Sequence, residues 1–259
     1  MKKIERARTT LVAFAFLTGA FACKDGPTAP YEVGNPLMEL SQTIHSEHFV
    51  FHYSSGDFVE PARAEAYHEW AVSFLGVVCP KKIDYFKFKD RQQMYRITGG
   101  AATGFADFDN YEVWTYLPWL NHECMHLYSM LVGHPIHLFE EGLAVACQID
   151  PYDNDFEARE KNGEKVHDIV RRYRAEGRLY PLENILDRDR WLSSDFTTTY
   201  PQAGSFVRFL IDTHGIERMK EIFRQVGAND SRDEIKQKFL TIYGFSLDQA
   251  EAVWLTFIG

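Results

Sequence analysis

His122-Glu123-Cys124-Met125-His126 is the stretch that decides how this sequence is interpreted, because it sets two imidazoles four residues apart with a carboxylate between them. On a helix of 3.6 residues per turn, side chains at this spacing lie on one face, about 6 Å apart, so His122 and His126 can share one metal ion. Glu123 lies one step around the helix, where its carboxylate can take a proton from water near that ion. The stretch therefore predicts a zinc-dependent hydrolytic site.

A third metal ligand is expected beyond His126, because catalytic zinc sites use three protein ligands and keep one position for water. Glu141 lies far enough beyond His126 in the sequence to be on a separate helix. Pro135 suits the first turn of a new helix, and residues 138–149 are apolar enough to be buried. We therefore expect Glu141 to enter the site from a second helix packed beside the first, with Gly142 allowing their backbones to approach closely.

Three other side chains near Glu141 remain alternative ligands. Glu140 directly precedes Glu141 and carries the same donor group. His134 and His137 are nearer to the first helix in sequence, but they flank Pro135 in a turn. Histidines in such a turn are more often solvated or helix-capping.

The combination of HExxH with a Glu-Gly-Leu-Ala segment resembles the gluzincin metallopeptidases, and in particular the bacterial peptidase MA-like domains. The resemblance implies an α+β, zincin-like fold: a small N-terminal mixed sheet with an edge strand, active-site helices, and a helical C-terminal half. It also implies that Glu141, directly before the glycine, is the third Zn²⁺ ligand beside His122 and His126. The metzincin pattern does not fit, because it requires Gly and His where this chain has Ser129 and Val132.

The segments before the motif alternate between strand and helix patterns. The predicted elements are a strand at 48–53, a helix at 61–78 with an apolar face of Ala66, Trp70, Phe74 and Val77, a strand at 83–88, and strand segments at 105–107 and 111–116. In gluzincins the strand before the HExxH helix forms an exposed sheet edge to which substrate backbone can add. The resemblance thus places the substrate edge within residues 103–116.

A downstream segment, residues 200–210, resembles the helix that follows the zinc-glutamate helix in this family. Peptide hydrolysis passes through a tetrahedral oxyanion, which a phenol opposite the metal can stabilise. The resemblance gives this catalytic role to Tyr200. The alternative is a packing role, because most of the 13 tyrosines must be amphipathic packing residues. Amphipathic helices fill the remaining sequence, and the last is expected to bury Ala250, Val253, Trp254 and Phe257.

The N-terminus carries an export pattern. Basic residues precede an apolar run that is too short to span a bilayer, so residues 1–22 are typical of a secretory signal. Cys23 follows directly, which resembles a bacterial lipoprotein cleavage site and implies lipidation of Cys23 and anchoring in the cell envelope. Simple secretion with an unmodified Cys23 is the alternative. Residues 23–42 are interpreted as a tether, and 43–259 as one domain whose α/β part extends to about residue 117.

Charge and cysteine content restrict the partners. The formal net charge of −9 becomes −12 without residues 1–22, which carry four basic residues and Glu5, and this excludes nucleic acid as the expected partner. Export would expose Cys79, Cys124 and Cys147 to an oxidising compartment, where a pairing of Cys147 with either of the others is an open alternative.

The sequence thus predicts an exported zinc metallopeptidase that acts on peptide or protein substrates. A non-catalytic, zinc-containing surface lipoprotein that binds a peptide or glycan is the competing hypothesis. The count of three ligands favours catalysis, because structural zinc sites normally have four. The sequence does not specify the oligomeric state or the cleavage preference.

Overall fold

The computed structural model describes residues 36–100, 102–148 and 165–259. The predicted signal segment, Cys23 and most of the predicted tether lie outside these residues. The described part is an α+β structure with a small mixed sheet of five strands, surrounded and followed by helices.

The sheet is built from short segments rich in aromatic and β-branched residues. Its strands are β1 Gln42–His45, β2 Phe49–Tyr53, β3 Ile83–Lys87, β4 Gly104–Asp107 and β5 Glu112–Thr115, in the order β1-β2-β3-β5-β4. The three inner strands run parallel, with Phe51 opposite Tyr85 and Tyr85 opposite Val113. The outer strands β1 and β4 are antiparallel to their neighbours. β4 is therefore an edge strand.

The helices cover both faces of the sheet and form the C-terminal half. They are α1 Pro36–Glu39, α2 Pro61–Leu75, α3 Arg91–Thr98, α4 Asn121–Met130, α5 His137–Ala146, α6 Val166–Ala175, α7 Arg188–Ser193, α8 Phe196–His214, α9 Ile216–Gln225, α10 Arg232–Tyr243 and α11 Leu247–Phe257. Phe51 and Tyr85 point into the main core with α2 and α4. Phe86 and Trp114 face the other way and pack with Met94 of α3.

Two glycines set the contact between α5 and α8. A Cβ atom on Gly142 would lie 2.5 Å from Val207 Cγ2, and one on Gly204 would lie 2.3 Å from Val145 Cγ1. Such distances are far below a normal contact between carbon atoms. The two helices therefore approach as closely as they do only because both positions lack a side chain. The sequence predicted that Gly142 would allow a close approach to the HExxH helix, but the structure places this glycine against α8 instead.

The sheet order shows which strand within the predicted range, residues 103–116, lies at the edge, and it is not the strand next to the HExxH helix. The strand directly before the HExxH helix is β5, and it lies inside the sheet between β3 and β4. The edge strand within residues 103–116 is β4 instead. β1 was not predicted, and Leu40, inside the predicted tether, is buried among the residues under the sheet.

The predicted apolar faces of two helices are only partly buried. α2 fully buries Ala64, Tyr67, His68, Ala71 and Leu75. The predicted Trp70, Phe74 and Val77 are half-buried and pack against the same core. In α11, Ala250 and Trp254 are buried as predicted, but Val253 and Phe257 are 58% and 53% exposed. None of the helices within the described ranges has the length and apolar character needed to cross a membrane.

Candidate metal centre

The helix α4 carries the first two donor groups on one face. His122 and His126 are both buried, and their Nε2 atoms lie 3.1 Å apart. Their rings are nearly perpendicular, with centroids 4.7 Å apart. The spacing of four residues has therefore brought both imidazoles to one point, as the sequence predicted.

The helix α5 adds the third donor. Glu141 Oε2 lies 3.1 Å from His122 Nε2 and 3.3 Å from His126 Nε2. Donor atoms about 2.0–2.2 Å from one tetrahedral zinc ion are themselves separated by about 3.3–3.6 Å. The separations at the site, 3.1–3.3 Å, lie within a few tenths of an ångström of that range. Two imidazoles with one carboxylate also form a donor set used by catalytic zinc. The three residues fit a metal ion.

Electrostatics within the cluster tie the three groups together. Burial opposes a charge on Glu141, but the adjacent His126 and His122 outweigh it and hold the pKa of the carboxyl well below its ordinary value. Burial likewise opposes a charge on His126, but the carboxylates of Glu141, Glu123 and Glu140 raise its pKa to about 9. Without metal, the cluster therefore holds a proton on His126 at neutral pH.

Glu123 lies beside this cluster and faces the edge strand. Its Cγ would be 3.0 Å from a Cβ atom on Gly104, the first residue of β4. Burial raises the pKa of Glu123, while the charges of His122 and His126 oppose that rise. A carboxylate with a raised pKa beside the cluster can accept a proton from water, which is the role the sequence predicted.

Tyr200 completes one wall of the site from α8. Its ring stacks on His122, with centroids 6.1 Å apart and planes inclined by 18°. Burial, the negative charge of Glu141 and a hydrogen bond to that carboxylate raise the pKa of Tyr200 well above its ordinary value. The phenol is therefore protonated at any physiological pH and can donate a hydrogen bond next to the donor cluster.

The alternative ligands do not join the three donor atoms. Among the described residues, the group that can hold one ion consists of His122, His126 and Glu141. Glu140 faces the opposite nitrogen of His126, and His134 contacts the ring of Phe108 edge-on. The structure therefore selects Glu141 over Glu140.

Two features of the site have no distinctive local sequence pattern. Gly104 places the edge strand against Glu123, but a glycine before a short strand is also common in ordinary turns. Trp191 of α7 lies 5.7 Å from the Tyr200 ring and 6.1 Å from the His137 ring, measured between centroids. Both contacts join segments that are distant in sequence, so no local pattern reports them.

The three described cysteines are free thiols. Cys124 and Cys147 are buried in the main core, away from the donor cluster. Burial raises the pKa of Cys79 to about 11 and that of Cys147 to about 12. Such thiols are protonated at neutral pH and are poor nucleophiles and metal ligands.

Comparisons of the chain with protein-family models, with curated proteins and with solved structures gave no match. The site geometry is therefore the basis for the proposed function.

Proposed function

We propose that this protein is a zinc-dependent metallopeptidase of the gluzincin type, with a zincin-like fold. The observation that carries the proposal is the convergence of His122 Nε2, His126 Nε2 and Glu141 Oε2 at separations of 3.1–3.3 Å. Three protein donors leave a tetrahedral ion with one further position, which is typical of catalytic rather than structural zinc. Glu123 and Tyr200 flank the cluster and supply the proton-transfer and oxyanion groups that peptide hydrolysis needs.

A bound Zn²⁺ would supply a Lewis acid that makes water more acidic and polarises the scissile carbonyl. Glu123 takes the proton from the attacking water, and its raised pKa suits this task. The same carboxyl then passes the proton to the leaving amine. Tyr200 donates a hydrogen bond to the oxygen that becomes negative as the carbonyl carbon turns tetrahedral.

The edge strand β4 is the feature that favours a peptide as the substrate. It pairs with β5 on one side, and no strand among the described residues pairs with its other side. An extended peptide can add to such an edge through main-chain hydrogen bonds. Because Gly104 of β4 contacts Glu123 and Leu120, a strand added there would pass next to the proposed base.

Export belongs to the same proposal. Lipidation of Cys23 would tether the enzyme to a bacterial membrane, and residues that follow it would give the domain reach from the surface. The acidic net charge of −9 is consistent with peptide rather than nucleic-acid substrates.

The test compares the wild-type protein with a Glu123→Gln variant. Metal analysis should find one zinc per chain in both, because Glu123 is not a donor. Hydrolysis of an unstructured protein and of a broad peptide library should occur only with the wild type. A wild type that carries zinc but cleaves nothing would favour the competing hypothesis of a non-catalytic zinc lipoprotein.

A further inference from the structure

The outer nitrogen of His126 lacks a hydrogen bond in a buried position. Nε2 faces the donor cluster, while Nδ1 lies on the other side of the ring, and no hydrogen-bond partner reaches it within the described part of the chain. A buried N–H without a partner is uncommon in folded proteins. Some group is therefore expected to satisfy Nδ1 when Nε2 binds a metal.

Glu140 is the polar group beside that nitrogen. Its Oε1 lies 3.9 Å from His126 Nδ1, and its side chain is only 17% exposed. A shift of about 1 Å would bring the two atoms within hydrogen-bond distance. Glu140 and Glu141 are adjacent in sequence, yet Glu140 lies near Nδ1 of His126 and Glu141 lies near Nε2. Glu141 can therefore bind the metal while Glu140 holds the His126 ring.

The second oxygen of Glu140 lies near another histidine, His137. Oε2 lies 3.5 Å from His137 Nδ1, one turn earlier on α5. The His137 ring in turn lies near Trp191, with centroids 6.1 Å apart. Glu140 is thus placed between two imidazoles, and the outer imidazole is itself packed against a buried tryptophan.

We propose that Glu140 is a positioning residue of the metal centre, which accepts a hydrogen bond from His126 Nδ1 and so fixes the ring with Nε2 toward the metal. Histidine ligands generally donate their second N–H to a carboxylate, carbonyl or water, which sets the tautomer and the ring orientation. The proposal rests on the proposed function, because it requires the cluster to bind zinc. It deepens that function by assigning a residue that the ligand set leaves out.

The experiment measures Zn²⁺ affinity of the full chain by competition with a chromophoric chelator. Loss of an outer carboxylate typically weakens metal binding by about 10- to 100-fold, and we expect this for Glu140→Ala. Glu140→Gln keeps the shape and one acceptor oxygen, so it should recover part of the loss. Circular dichroism of both variants establishes that they fold. The visible spectrum of the Co²⁺-loaded protein should show four-coordinate metal in each, since the donors are unchanged.

A matched control is Glu65→Gln. Glu65 also pairs with an imidazole, at 2.6 Å from His48 Nδ1, but it lies outside the donor cluster. Its Zn²⁺ affinity should equal that of the wild type.

The outcomes separate this proposal from the proposed function. Zn²⁺ affinities of Glu140→Ala and Glu140→Gln within about threefold of wild type would overturn the positioning role and leave the peptidase proposal intact. Complete loss of zinc in Glu140→Ala, equal to that in Glu141→Ala, would also overturn it by making Glu140 a ligand. A folded wild type that binds no Zn²⁺ would overturn both proposals.

Discussion

The phenol of Tyr200 and the imidazole of His122 are stacked, although they lie 78 positions apart in the sequence, on α8 and α4. Trp191 packs against the Tyr200 ring at a centroid distance of 5.7 Å. The ring is therefore fixed by aromatic contacts, and the negative charge of the nearby Glu141 helps burial to raise the pKa of its hydroxyl. The packing role of the ring can therefore be distinguished from the catalytic role proposed for the hydroxyl.

Tyr200→Phe tests that separation. The variant keeps the stacked ring and removes only the hydroxyl, so Zn²⁺ affinity and thermal stability should change little. If the hydroxyl stabilises the oxyanion, kcat should fall by about 10²-fold or more, with a small effect on KM. Steady-state kinetics on a peptide substrate provide the measurement.

Tyr243→Phe is the matched control for Tyr200. Tyr243 stacks on Phe239 at 4.5 Å between centroids, and its buried hydroxyl has no hydrogen-bond partner among the described residues. Its removal should leave kcat unchanged. Equal kcat for Tyr200→Phe and wild type would assign Tyr200 to packing alone.

Gly104→Ala should impair activity without removing zinc. The new Cβ would lie 2.6 Å from Leu120 Cδ2 and 3.0 Å from both Glu123 Cγ and the carbonyl oxygen of Trp114, so the edge strand or the base must move. Overpacking of this kind costs about 1–3 kcal/mol of stability. A misplacement of about 1 Å can lower kcat/KM by about 10²-fold. Chelator competition and steady-state kinetics on one preparation measure both effects.

Gly100→Ala is the corresponding control for Gly104. Its Cβ would meet nothing closer than Thr98 Oγ1 at 3.4 Å, and its backbone is not in the left-handed region. We expect stability and kcat/KM near those of the wild type. An active Gly104→Ala enzyme would show that β4 need not approach Glu123 so closely.

Gly142→Ala should weaken the fold and the metal site together. A Cβ atom there would also lie 2.9 Å from the carbonyl oxygen of Ala203, so α5 must move away from α8. We expect the free energy of unfolding to fall by about 1–3 kcal/mol or more, measured by chemical denaturation. Because Glu141 lies on the displaced helix, Zn²⁺ affinity should fall as well. Gly227→Ala, with its nearest neighbour at 3.5 Å, should do neither.

Local patterns were sufficient for much of the fold and for the donor set. The strands β2 and β3 lie within a residue or two of their predicted bounds, and the HExxH motif lies on a helix, α4, as predicted, because spacing and β-branched content are local properties. The three predicted donors meet because one helix repeat aligns His122 with His126, and a second short helix follows at once. Glu141 could be distinguished from Glu140 by resemblance, and the structure brings the same residue to the cluster.

Local sequence patterns could not predict the strand order or which face of each helix is buried. β5 follows β4 in sequence but inserts between it and β3, so the identity of the edge strand depends on nonlocal pairing. In α2 the buried face passes through Tyr67 and His68. Both side chains combine an apolar ring with a polar atom, so a search for purely apolar residues at helical spacing does not find this face. The close contact of Gly104 with Glu123 and the position of Glu140 behind His126 likewise join separate elements.

Zinc affinity should depend on pH through His126. Burial would lower the pKa of this imidazole, but Glu141, Glu123 and Glu140 raise it to about 9 in the metal-free protein. A metal must displace that proton, so between pH 7 and 8 the Zn²⁺ affinity should rise about tenfold and uptake should release about one proton per ion. Calorimetry in buffers of different ionisation enthalpy counts the released protons. His68, whose pKa is lowered to about 4 mainly by burial, is already neutral in this range, so His68→Gln should keep the same slope. An affinity that stays constant from pH 7 to 8, with no proton released, would contradict a protonated His126 in the metal-free cluster.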